Sequence, residues 1–185
     1  MTSIFDFDNH FTDKNSLHSY FQTYQSLFQH KFNNSNNILE VGVSFGGSIK
    51  LWNDLFPFSS IYGIDIQDNI DTNLKSQFNN NSNIHLFINH DAYNSDFVSN
   101  NLSHLKFDIL IDDGPHTLDS MKSFISLYSP LMNDGGILVI EDVQDMNWIE
   151  ILKNELSEEL KEGIEIYDLR RNKSRYEDIL FIIKK

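Results

Sequence analysis

The sequence contains no cysteine. That excludes disulfides, thiolate nucleophiles and zinc–sulfur sites, and it fits a reducing compartment. Positive charge is scarce: 14 Lys and Arg stand against 27 Asp and Glu, a formal net charge of −13. A surface this acidic repels phosphate backbones, so nucleic acid is not an expected partner unless a local basic patch exists. No apolar run approaches the roughly 20 residues that a membrane-spanning helix needs. The opening "MTSIFDFDNHFTDK" has neither the basic nor the apolar segment of a secretory signal. Together these absences lead to the expectation of a cytoplasmic protein with no membrane partner.

What is present is organised along the chain. A length of 185 residues suits one domain with a sizeable core, divided into an N-terminal helical appendage over 1–36 and a core over 37–185. The asparagine-rich stretches "FNNSNN" and "FNNNSN" are polar loops between elements. Leu17, Tyr20, Phe21, Tyr24, Leu27 and Phe28 recur at helical spacing and predict an amphipathic helix over 16–32. Apolar strands are expected at "NILEVGV", "SIYGIDI", "NIHLFIN", "FDILID" and "GGILVIED", each followed by a helical segment, the last being "NWIEILKNELSEEL". "GIEIYDL" and "EDILFIIKK" close the chain with no helix between them, so that pair should be antiparallel. Apolar strands alternating with amphipathic helices imply an α/β fold, a mostly parallel sheet covered on both faces. Ligands of such sheets bind outside the carboxyl ends of the strands.

The first strand ends in "LEVGVSFGGSIKLW", where Glu40, Gly42, Gly46, Gly47 and Ser48 form a glycine-rich turn into a helix. Such a turn lets backbone N–H groups approach a ligand, or simply caps the helix. Ser44 stands where G-x-G-x-x-G has its second glycine, which argues against a dinucleotide loop. Asp65 ends the second strand, where a carboxylate accepts both hydroxyls of a ribose. Asp91 follows the third strand; it either accepts from an adenine amino group, with Ala92 leaving room for the ring, or caps the next helix. The fourth and fifth strands end in Asp112-Asp113 and Glu141-Asp142. Four carboxylates at one rim repel one another unless a cation lies among them, and oxygen donors suit Mg²⁺ or another hard divalent ion. The competing reading is that some of them cap helices. His116 follows Gly114-Pro115 on a rigid turn three residues after Asp113. Of the other histidines, only His90, beside Asp91, is placed near this rim.

The ordered set "EVGVSFGGS", "IDDGPHT", "GGILVIEDV" and "YDLRRNKSRYEDILFII" resembles the class I S-adenosylmethionine-dependent methyltransferases, and more narrowly the macrocin/mycinamicin sugar O-methyltransferases and their cephalosporin hydroxylase-like relatives. The resemblance implies a Rossmann-like sheet of seven strands in the order 3-2-1-4-5-7-6, with strand 7 antiparallel. It implies that Glu40, Gly42, Gly46 and Ser48 hold the methionine end of S-adenosyl-L-methionine, Asp65 the ribose, and Asp91 with Ala92 the adenine, with Asp112 near the sulfonium. It further implies Mg²⁺ on Asp113, Glu141 and Asp142, with His116 as general base, and a sugar or nucleotide sugar as substrate. Members of this group carry further N-terminal domains or lid insertions, so the acceptor pocket here is either open or completed by another subunit of a homo-oligomer. A hydroxylase-like or non-catalytic cofactor-binding role is the alternative. Arg170, Arg171, Lys173 and Arg175 form a local basic segment, either a receptor for a substrate phosphate or a solvated hairpin paired with the acidic surface.

Overall fold

The structure is a computed structural model that describes residues 12–185; the opening eleven residues, on which part of the leader and appendage readings rests, lie outside the described residues. Seven strands form one sheet in the order β3-β2-β1-β4-β5-β7-β6. They are β1 (Asn37–Val41), β2 (Ser60–Asp65), β3 (Ile84–Ile88), β4 (Phe107–Asp112), β5 (Met132–Ile140), β6 (Ile164–Asp168) and β7 (Ile179–Lys184). β7 runs antiparallel to both its neighbours, β5 and β6, and the remaining pairs are parallel. The seven-stranded order and the antiparallel last strand agree with the expectation from the resemblance.

The apolar strands are continuous because both faces of the sheet are covered. Along β4, Leu110 belongs to the core on one face while Ile109 and Ile111 belong to the core on the other. β7 alternates in the same way, Ile179, Phe181 and Ile183 against Leu180 and Ile182. The side chains of Ile109, Leu110, Ile111 and Ile182 are almost wholly buried, and truncating such a leucine or isoleucine to alanine typically costs about 2–5 kcal/mol. The first face is covered by α5 (Ser95–Asn101), α6 (Leu118–Tyr128), α7 (Trp148–Asn154) and α8 (Glu158–Lys161), the second by α2 (Phe21–Phe28), α3 (Gly47–Leu55) and α4 (Thr72–Asn79). Side-chain caps start several of these helices: Asp71 for α4, Asn94 for α5, and a Thr117–Ser120 capping box for α6.

Two helical expectations are corrected. The predicted helix over 16–32 is a one-turn helix, α1 (Asp13–Ser16), then a break, then α2 with a 3₁₀ turn at Gln29–Lys31. His18 and Ser19 turn their side chains onto Asp178, and Leu17, read as a packing residue, is half exposed. The segment "NWIEILKNELSEEL" is divided into α7 and α8, because Ser157 adopts an extended backbone (ψ 154) between them.

Register places the functional strand ends side by side. Val41 pairs with Asp112, and Asp112 with Ile140. Just past the strands, Asp113 N–H donates to Val41 O at 2.9 Å and Glu141 N–H to Asp112 O at 3.0 Å. Backbone hydrogen bonds therefore fix the spacing of the three loops that carry the candidate site.

Candidate active site

A cavity of about 800 Å³ opens at the carboxyl ends of β1, β2 and β4. Its walls come from the β1–α3 loop (Gly42 to Ser48), from Asp65 to Gln67, from Asp91 to Tyr93, from Asp113 to His116, and from Thr12 and Asp13 of the N-terminal segment. Gly42 and Gly46 both sit at φ 90, in the left-handed region that a side chain disfavours. Gly46 caps α3, whose unpaired N–H groups favour a polar or anionic ligand group.

Asp65 accepts from Ser44 N–H through Oδ2 and from Gln67 N–H through Oδ1, each at 2.8 Å. Its carboxylate is thus aimed before any ligand arrives, and each oxygen keeps a lone pair for a hydroxyl donor. Asp91 does not cap α5, a role taken by Asn94; Asp91 Oδ1 accepts from Tyr93 N–H at 2.9 Å. Of the residues expected to hold the cofactor, Gly42, Ser48, Asp65, Asp91 and Ala92 line this cavity.

Glu40 and Asp112 stand behind its wall. Glu40 is wholly buried, with Oε2 accepting from Trp52 Nε1 at 3.1 Å, and burial pushes its carboxyl up. Asp112 accepts from Tyr93 Oη at 2.5 Å. Burial raises its pKa to about 7, the Tyr93 hydroxyl holding it down and the neighbouring Asp113 charge pushing it up.

The acidic rim is divided into an inner and an outer part. In the inner part the Lys14 ammonium lies 2.6 Å from Glu141 Oε1, 2.7 Å from Asp113 Oδ2 and 3.2 Å from Glu40 Oε1. Tyr24 Oη also donates to Glu141 Oε1. Burial works against the Lys14 charge, but Asp113, Glu141 and Glu40 outweigh it and hold the ammonium protonated. In the outer part Asp113 Oδ1 and Asp142 Oδ2 face His116 Nε2 at 3.8 and 3.6 Å. Asp142 Oδ1 takes a hydrogen bond from Tyr20 Oη and lies 3.3 Å from His18 Nδ1. Burial raises the Asp142 carboxyl, with Tyr20, His18 and His116 acting against it and Asp113 with it.

Among the described residues, the groups whose ligand atoms come within 4.8 Å of one another are Asp113–His116–Asp142, Glu40–Asp113–Glu141 and His18–Asp142–Asp178. None of these groups holds the expected metal ligands Asp113, Glu141 and Asp142 together: Asp113 meets Asp142 in one and Glu141 in another. The chemistry of the donors fits a hard divalent ion, since carboxylate oxygens predominate and soft ligands are lacking. The helix-capping alternative does not apply to Asp142: α7 begins at Trp148, with Asn147 as its first flanking residue.

His116 itself adopts φ 53, an unusual conformation for a non-glycine residue and one that is often found at functional sites. Thr117, next in sequence, is tied into the α6 capping box, so the imidazole stands on a fixed turn.

Four residues that contact the rim carboxylates carry no signal of that contact in the sequence. Lys14 sits in a polar stretch without periodicity, and its partners lie 99 and 127 residues away. His18, among the histidines given no role, is buried against Asp178 at 2.7 Å. Tyr20 and Tyr24 had the spacing of core residues, which they are, but their hydroxyls also serve the carboxylates. The basic segment, expected to hold no helix, forms the one-turn α9 (Arg170–Lys173) between β6 and β7 and its flanks, and it is largely paired within the chain. Arg170 binds Asp168, Arg175 binds Glu177, and Lys173 donates to the carbonyls of Asn15 and Ser16. These pairings favour the solvated-hairpin reading.

A family model described as a methyltransferase domain matches residues 39–143. The chain belongs to that family. Its sequence is 30% identical over 151 residues to the 8-demethyl-8-alpha-L-rhamnosyl tetracenomycin-C 2'-O-methyltransferase of Streptomyces olivaceus, covering 75% of this chain and 37% of that protein. It is also 30% identical over 141 residues to the mycinamicin VI 2''-O-methyltransferase of Micromonospora griseorubida, covering 71% and 33%. The chain thus spans about a third of the length of these curated relatives. Among solved structures, the MycE methyltransferase of the mycinamycin biosynthetic pathway, in complex with Mg, SAH and mycinamycin VI, superposes with a TM-score of 0.72 at 22% identity. That match covers 96% of this chain and 52% of that one, and shows a shared fold.

Proposed function

We propose that this protein transfers a methyl group from S-adenosyl-L-methionine to a hydroxyl of a sugar or related polyhydroxylated small molecule, with Mg²⁺ or another hard divalent cation at the acidic rim. One observation carries the reading: the outer carboxylate oxygens of Asp113 and Asp142 flank His116 at the wall of a cavity that also holds Asp65. The curated relatives named above are sugar O-methyltransferases by name, and the MycE structure contains Mg and SAH; both support this assignment.

A sugar hydroxyl is hardly ionised near neutral pH and is a weak nucleophile. When bound, a divalent cation would lower its pKa, with Asp113, which lines the cavity, and Asp142 beside His116 as the residues able to hold the ion. His116 would accept the hydroxyl proton at Nε2, and the adjacent carboxylates would stabilise the imidazolium that results. Asp65 would fix the ribose and the glycine turn the methionine end, so that these residues supply orientation. No helix among the described residues is long and apolar enough to cross a membrane.

A second reading is a non-catalytic cofactor-binding protein. Lys14 favours it, since this ammonium offsets carboxylate charge without a metal. Methyl transfer from labelled cofactor to nucleotide sugars and free polyols, with and without chelator, separates the two. Turnover abolished by chelator is expected. Turnover that ignores chelator would remove the metal, and cofactor binding without any turnover would favour the second reading.

A further inference from the structure

Lys14 belongs to none of the roles above, yet its side chain is wholly buried at the centre of the inner carboxylates. We propose that Lys14 is a tethered cation that competes with a divalent metal for Asp113 and Glu141, so that a metal recruiting both carboxylates frees residues 12–17 from the rim. This inference rests on the metal-dependent reading.

The geometry makes the two cations competitors. Asp113 presents Oδ2 to Lys14 and Oδ1 to His116, so one carboxylate serves both parts of the rim. Glu141 is held through Oε1 by Lys14 and Tyr24, and its companions in reach are Glu40 and Asp113. A dication on Asp113 that also recruits Glu141 meets a fixed ammonium on the same two carboxylates, and like charges at such distances repel strongly in a desolvated site. Glu40 Oε1 adds a second sign that the inner part is incompletely satisfied. It is buried, 3.2 Å from the Lys14 ammonium, and has no well-aligned hydrogen-bond donor among the described residues.

The segment is anchored most firmly at one end. Beyond Leu17 it is pinned by His18 and Ser19 to Asp178 and by Tyr20 to Asp142. Ahead of Leu17, Lys14 is the side chain that reaches the inner carboxylates; Lys173 donates to the carbonyls of Asn15 and Ser16, Asp13 Oδ2 lies 3.8 Å from His18 Nε2, and Tyr20 N–H closes on Lys14 O at 3.1 Å. Thr12 and Asp13 form part of the cavity wall. Withdrawal of Lys14 would therefore have to loosen these ties, and it would open the cavity on the side of Thr12 and Asp13.

Two measurements on the full chain test this, with Mn²⁺ as the probe and no substrate present. Electron paramagnetic resonance titration should show Lys14→Met binding Mn²⁺ at least tenfold more tightly than wild type. Amide hydrogen exchange over residues 12–17 of wild type should accelerate at least tenfold on saturation with Mn²⁺. Equal or weaker binding by a natively folded Lys14→Met would overturn the inference while leaving the metal site intact. Unchanged exchange in wild type would do the same, and it decides the matter alone if the variant does not fold. Absence of Mn²⁺ binding by both proteins would remove the metal reading itself, and this inference with it.

Discussion

Gly42 and Asp113 touch so closely that a β-carbon on Gly42 would fall 1.9 Å from the Asp113 carbonyl oxygen. The end of β1 and the start of the histidine turn are thus packed backbone to backbone, and Gly42 also holds φ 90. Gly42→Ala combines a disfavoured backbone conformation with overpacking, and should cost about 2–4 kcal/mol. Urea denaturation measures it; a loss below about 0.5 kcal/mol would show that the two loops separate freely.

Trp52 supplies Glu40 with its hydrogen bond, and both side chains are wholly buried. Trp52→Phe should destabilise the fold by about 1–3 kcal/mol, because a buried acceptor loses its donor. The loss should shrink in a Glu40→Gln background, and a double-mutant cycle with no coupling would refute the linkage.

Asp65 has two duties, shaping the loop through Ser44 and Gln67 and facing the cavity. Asp65→Ala should weaken S-adenosylhomocysteine binding at least tenfold by calorimetry. An unchanged dissociation constant would dismiss the ribose assignment.

His116→Ala should lower turnover by about 10²–10⁴-fold, the usual range for a lost general base, while leaving cofactor affinity within twofold. Wild-type turnover in the variant would assign the proton to another group.

Asp178 anchors the N-terminal segment through His18 and Ser19 and is itself wholly buried. Asp178→Ala removes one of the two carboxylates beside the buried His18 Nδ1 and should cost about 1–3 kcal/mol, the range for a buried group that loses a hydrogen-bond partner. Limited proteolysis should then cut near residues 12–20, and a wild-type digestion pattern would show that other contacts suffice.

The sheet could be read from the sequence because each buried strand is a short apolar run, and the glycine turn, Asp65 and the paired carboxylates fall at strand ends where topology collects them. Lys14 and His18 could not be read that way. Their importance comes from partners more than a hundred residues distant in most cases, and nothing in "TDKNSLHS" marks them. Helical spacing also misled at Leu17: the period is local, whereas the capture of His18 and Ser19 by Asp178 is tertiary. Ser157 breaks the α7–α8 segment by taking the extended N-cap position of α8, a position serine favours but which the helical period does not show.

The insertion of β7 between β5 and β6 has a kinetic consequence. His18 finds its partner 160 residues further along, and Val143 N–H closes on Ile179 O at 3.1 Å. The early segment must therefore wait, without its anchor, until Asp178 and β7 have left the ribosome. Closing so large a loop is entropically expensive and slow, so the rim should be the last region to become protected during refolding, well after the β1–β4 neighbourhood has consolidated.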